Sequence, residues 1–134
     1  MIITDITQID HLVEEILGST KGVITIDMKD YNLIKDSSSS LKAAKIEIPE
    51  MSEESIVALD QVLAETCGDE ECNLLFYITT LKSTENPITV EQMQYFGNSI
   101  DKYVADSAKI IWGLGQYEQG YDGVTILVVV GDSK

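Results

Sequence analysis

Residues 22–34, GVITIDMKDYNLI, decide how the rest of the chain is read. The apolar residues Val23, Ile24 and Ile26 run into two carboxylates three residues apart, Asp27 and Asp30. An apolar, helix-like continuation follows at Tyr31, Leu33 and Ile34. Acids elsewhere fall on faces that water can reach, whereas these two sit inside a hydrophobic segment. The plain structural reading is a strand passing into a helix, with Asp27 or Asp30 as the N-cap, because a carboxylate oxygen there accepts from the orphan amides of the first turn.

Working outward toward the N-terminus, Ile9, Leu12, Val13, Ile16 and Leu17 recur at the spacing of an amphipathic helix over residues 7–17, with Gly18 as its expected stop. On the other side, Asp36–Ser40 (DSSSS) reads as a flexible loop and residues 43–48 (AAKIEI) as a strand closed by Pro49. Ser52 then caps a helix whose apolar stripe is Ile56, Leu59, Val62 and Leu63, ending at Gly68. LLFYIT (74–79) is an apolar run of strand length. Thr89 and Gln92 form a capping box ahead of a helix carrying Val90, Met93, Gly97, Ile100 and Val104. KIIWGLG (109–115) and VTILVVVG (124–131) are strands joined by the polar stretch QYEQGYD, a spacing compatible with a long-looped hairpin. The last strand is apolar on both faces and belongs inside the sheet. Gly113, Gly115 and Gly131 read as conformational punctuation, Trp112, Phe76 and Phe96 as core residues, and Tyr117 and Tyr121 as members of a polar turn.

This order predicts an α/β (α+β) two-layer sandwich: a mixed sheet of about four strands, helices mainly on one face, and a helix in front. At 134 residues the chain is one domain by length and long enough to bury a core without disulfide or metal. Its 23 acids against 9 bases, a formal charge of −14, argue against nucleic acid and anionic membrane as partners. Cys67 and Cys72 are spaced C-x4-C with the single histidine, His11, far off in sequence. No metal site is read from them, and free thiols in a cytoplasmic protein are expected. Neither a G-x-G-x-x-G nor a G-x-x-x-x-G-K-[ST] run occurs, so no nucleotide motif is present.

Taken together, these segments resemble the C-terminal domain of FtsZ, the bacterial relative of tubulin. GVITIDMKDYNLI is similar to that family's synergy loop, close to G-L-I-N-x-D-F-A-D-V. KIIWGLG is similar to its N-I-I-F-G strand, and VTILVVVG to its closing V-T-V-I-A-T-G strand. LLFYIT and the Thr-capped helix fall between them in the family order. The resemblance divides the chain into residues 1–21, similar to the end of the family's central helix, and 22–134, the C-terminal domain.

In that family the loop enters the nucleotide pocket of the next subunit, where acids orient the water that attacks the γ-phosphate. The resemblance therefore implies in-trans catalytic roles for Asp27 and Asp30, with Asp30 the better candidate for water activation. Gly22, Thr25, Met28 and Lys29 become interface-loop residues. It implies a protein–protein interaction module of cell-division filaments, with a full-length FtsZ-like protein or the chain itself as partner. This chain alone would bind no cofactor and would not be an enzyme, since GTP and Mg would come only through a partner. The departures are Thr25 for asparagine, Met28 for the aromatic, Lys29 for the small residue between the acids, and Thr80–Leu81 for a Gly-Gly pair. Lys29 could hold either acid ionised or tie it up in a salt bridge. Two alternatives stay open: a stand-alone oligomeric α/β ligand-binding domain, and a fragment of a longer GTPase, suggested by a start inside what the family has as a continuous helix.

Overall fold

The computed structural model describes residues 2–24, 26–48, 57, 61, 72–81, 110–117 and 123–133. Along the chain, β1 (Ile2–Ile3) precedes α1 (Ile6–Ser19), β2 (Thr20–Ile24), α2 (Met28–Asp36) and β3 (Ser38–Ile48). The strands β4 (Cys72–Leu81), β5 (Ile110–Tyr117) and β6 (Val124–Ser133) follow. The strands make one sheet in the order β1-β3-β6-β4-β5-β2. Only the β4–β5 pair is parallel; every other neighbour is antiparallel.

The mixed sheet with α1 and α2 on one face is the expected α+β sandwich, with six strands among the described residues where about four were expected. Both edge strands are short: β1 had no sequence signal, and β2 falls on the strand expected ahead of Asp27. Two-residue β1 sits against Ala43 and Ala44, and five-residue β2 against β5. Strand β6 is interior, paired on one side with β3 and on the other with β4. Its run Ile126–Val130 is buried on both faces, which is why it carries apolar residues without alternation.

The expected hairpin between the last two strands is not formed, because β4 lies between them. Strand β5 runs parallel to β4 from Leu74↔Ile110 to Leu81↔Tyr117, and such a pair needs a crossover rather than a tight turn. Strand β6 then pairs antiparallel on the other side of β4, from Cys72↔Asp132 to Thr80↔Val124.

One face of the sheet presents Leu41 and Ala43, Leu75 and Tyr77, and Leu127 and Val129 to the helices. Onto it α1 lays Ile9, Val13 and Ile16, and α2 lays Tyr31 and Ile34, all in one core cluster with Ile26. Helix α1 starts on a cap of its own, since the Asp5 carboxylate accepts from the amides of Thr7 and Gln8 at 2.9 and 3.1 Å. Gly18 does not stop it; the helix runs on to Ser19. Its end is set by side chains: the Thr20 hydroxyl bonds to Ile16 O at 2.8 Å and the Ser19 hydroxyl to the same carbonyl at 3.3 Å. The Thr20 and Tyr77 hydroxyls, 3.1 Å apart, tie this end to the centre of the sheet.

The serine run is not a loop. Asp36 ends α2, and Ser38 begins β3 in pairing with Ser133. Ser38 is buried, donates to Ile34 O at 2.7 Å and accepts from Asn73 Nδ2 at 3.3 Å, so its hydroxyl closes the helix end while its backbone enters the ladder. Gly131 lies inside β6, not after it, because a β-carbon there would come within 2.0 Å of Ser38 Oγ. Gly113 and Gly115 likewise lie within β5.

Phe76 is core, as expected, and stacks on Trp112 with ring centroids 6.4 Å apart. Trp112 itself is 43% exposed; it lies on β5 beyond Leu114, where the described pairing with β2 ends. Tyr117 belongs to β5 rather than to a turn, and it is buried with its hydroxyl 3.4 Å from Gly123 O. Of the expected helix after Ser52, Val57 and Gln61 are described; both are helical and exposed, and both fall off its apolar stripe. The helix expected after Thr89, together with Phe96, Tyr121 and Cys67, lies outside the described residues.

Candidate functional site

The two acids of the opening stretch meet at the head of α2. Asp27 is the N-cap, in extended backbone with φ −125 and ψ −179. Its Oδ1 accepts from the Lys29 amide at 2.9 Å and the Asp30 amide at 3.2 Å, while the Asp27 amide donates to Asp30 Oδ2 at 3.0 Å. This is a reciprocal capping box built from two aspartates. The second oxygen of each, Asp27 Oδ2 and Asp30 Oδ1, takes no hydrogen bond from a described residue. Asp27 is exposed and Asp30 half-buried, so the pair forms a negative head on a helix terminus whose own partial charge is positive.

Apolar residues on either side of the cap hold it down. Ile26 and Tyr31 occupy the positions before the cap and four after it, where a hydrophobic staple sits, and both lie in the core cluster. Met28, the first helical residue, is half-buried against the same cluster. Lys29 is exposed and forms no ion pair with either acid or with any other described residue. Gly22 lies within β2, opposite Gly115, with a register irregularity before Ile24. Of the expected interface-loop residues, Gly22 is therefore in a strand while Met28 and Lys29 open helix α2. Thr25 lies outside the described residues.

One feature of the site carried little sequence signal. From α2, the Tyr31 hydroxyl donates to Asp10 Oδ1 on α1, and Lys35 Nζ reaches Asp10 Oδ1 and Oδ2 at 3.2 and 3.3 Å. Lys35 also lies 5.9 Å from the centroid of the Tyr31 ring. The hydrogen bond from Tyr31 holds the Asp10 carboxyl below its usual range against the opposing effect of burial, and Lys35 assists. Burial, and then the bond to Asp10, push the Tyr31 phenol above its ordinary value. The Tyr31–Lys35 spacing of four marks one helix face, but nothing in the sequence singles out Asp10 as their partner.

Among the described residues, no group of three or more histidine, cysteine, aspartate or glutamate side chains is placed to hold a metal ion, and no helix is long and apolar enough to cross a membrane. What the head of α2 can do chemically is accept hydrogen bonds, from water or from a donor on another molecule, through two fixed carboxylates.

No protein-family model matches the chain, and no curated protein matches it. Solved structures do. An empty FtsZ dimer of M. jannaschii superimposes with TM-score 0.64 at 21% identity, covering 92% of this chain and 35% of that one. A point mutant of FtsZ from the same organism gives 0.63 at 18% identity, over 96% of this chain and 37% of that one. TubZ of Bacillus thuringiensis serovar israelensis, in GDP-form protofilaments, gives 0.60 at 13% identity, over 99% and 41%. The chain thus spans well under half the length of the structures it matches, and at these identities the likeness is one of fold: it folds like a part of FtsZ and of TubZ.

Proposed function

We propose that this chain is a protein–protein interaction module for FtsZ-like filaments. In this reading the Asp27–Asp30 head of α2 enters the nucleotide pocket of a partner subunit and completes a GTPase site there. The observation that carries it is the capping box: each acid spends one oxygen on the helix and keeps the other without a described partner, so capping the helix and orienting a water are compatible tasks. Phosphoryl transfer asks for positioning and electrostatics more than covalent chemistry, and rigidly held carboxylates suit the orientation of an attacking water. Asp30 is the water-orienting group and Asp27 its neighbour on the metal or water shell, with Gly22, Thr25, Met28 and Lys29 along the contact. GTP and Mg belong to the partner; the chain alone is not a GTPase. Lys29, which has no ion-pair partner among the described residues, is available to an acidic or phosphate group across the interface.

Docking by this face in place of the next subunit would compete with filament growth. Titrating the purified chain into polymerising FtsZ should slow assembly and alter GTP turnover. Asp30→Asn, which keeps an oxygen for the Asp27 amide, should leave the melting temperature in place and abolish the effect on turnover. Unchanged assembly and turnover over a wide concentration range would remove the proposal; a defined oligomer by light scattering alongside that result would favour a stand-alone oligomeric domain.

A further inference from the structure

Building on the proposed role of the α2 head, we infer that Asp10, Tyr31 and Lys35 form a clamp between the two helices that sets the pose in which Asp27 and Asp30 are presented. Helix α2 has nine residues, too few to hold its own shape in water, so its direction comes from what it packs against. Its buried side chains, Tyr31 and Ile34, set its depth on the sheet. Apolar contact is non-directional, however, and leaves rotation about the helix axis weakly defined.

The polar cluster supplies that missing constraint. Tyr31 directly follows Asp30, and its ring is fully buried while its hydroxyl reaches across to Asp10 on α1. One turn further on, Lys35 bonds both oxygens of the same carboxylate. A single Asp10 side chain is thus gripped at two heights of α2, which resists both roll and tilt. Bonds of this kind, with an ionised acceptor, are stronger and more directional than neutral ones. Groups that position a reacting water must be held to about half an ångström and 10–20°. A small roll of α2 would carry the acids out of that range without unfolding the helix. In this account the three residues are positioning residues; none touches the water or nucleotide.

The test uses Tyr31→Phe, which keeps the buried ring and removes only the hydroxyl, beside Lys35→Met and a control at the exposed Asn32→Ala. The first readout needs no partner: amide hydrogen exchange at Asp27, Lys29 and Asp30, compared with Leu127 and Val129 in β6. The clamp predicts that Tyr31→Phe speeds exchange at the three cap amides by about tenfold relative to the β6 amides, the scale of one hydrogen bond to a charged group. Lys35→Met should do so by a smaller factor and the control not at all. Exchange that rises equally at the cap and in β6 would mean a merely stabilising contact and would overturn the inference. The second readout is the effect on FtsZ turnover, which should fall several-fold in Tyr31→Phe. If the unmodified chain has no effect on FtsZ, the docking proposal fails while the exchange comparison still decides whether the clamp exists. An effect on FtsZ that is equal in the unmodified chain and in Tyr31→Phe would count against the positioning role alone.

Discussion

Gly18 and Gly131 illustrate how differently one residue type is used. At Gly18, inside α1, an added β-carbon meets nothing within 4 Å. Gly18→Ala should therefore raise stability by about 0.5–1 kcal/mol, the helix-propensity difference, as read from urea denaturation. At Gly131 a β-carbon would collide with Ser38 Oγ at 2.0 Å and Ser38 Cβ at 2.6 Å, so Gly131→Ala should cost about 1–3 kcal/mol in the same assay. Tyr31 carries a pH signature. Its phenol is raised from 10.0 by burial first and by the bond to Asp10 second, so the folded state holds this proton more tightly than the unfolded chain does. That contribution is complete below pH 10 and fades as pH climbs toward the folded value. Asp10 is lowered from 3.8, chiefly by the bond from Tyr31, so its contribution is present above about pH 4 and is lost as pH falls below that. Tyr31 should ionise above the ordinary tyrosine range in an ultraviolet absorbance titration, together with alkaline unfolding.

At the scale of the element, α2 is held by its first turn. The capping box satisfies the amides of Asp27, Lys29 and Asp30 with two side chains. Asp27→Ala should destabilise the protein by about 1 kcal/mol, whereas Asp27→Asn, a cap of equal rank, should cost only a few tenths by thermal denaturation. The contrast matters because activity lost in Asp27→Asn at unchanged stability would isolate the charge from the cap. At the other end of α2, Ser38 replaces the usual glycine stop by bonding Ile34 O with its own hydroxyl. A run of four serines is therefore read into a turn and a strand start, since its small hydroxyls can serve the helix end while its backbone pairs with β6.

Across the whole molecule, the order of strands predicts the order of opening. Strands β4 and β6 are paired on both sides, while β2 has a single described partner and a register irregularity. Amides of β6 between Ile126 and Val130 should exchange slowest and those of β2 fastest, as measured by native-state hydrogen exchange. Helices α1 and α2 and the cores of the long strands were legible because each carries a local pattern. Ile9, Val13 and Ile16 mark a helix face, and the unbroken run from Ile126 to Val130 marks a strand buried on both sides. The α2 cap was legible for the same reason, because Asp27 and Asp30 act on amides within three residues. Such contacts lie within the few residues that sequence spacing describes, so the amino-acid sequence by itself determined α1, α2, the long strands, the α+β class and the capped acidic head. Tertiary structure alone decided that β4 separates β5 from β6, that Trp112 is left partly in water, and that Asp10 grips Tyr31 and Lys35 from another helix. Those outcomes depend on which distant segments share a neighbour, and the energy that selects them arises only once the sheet and helices have packed together.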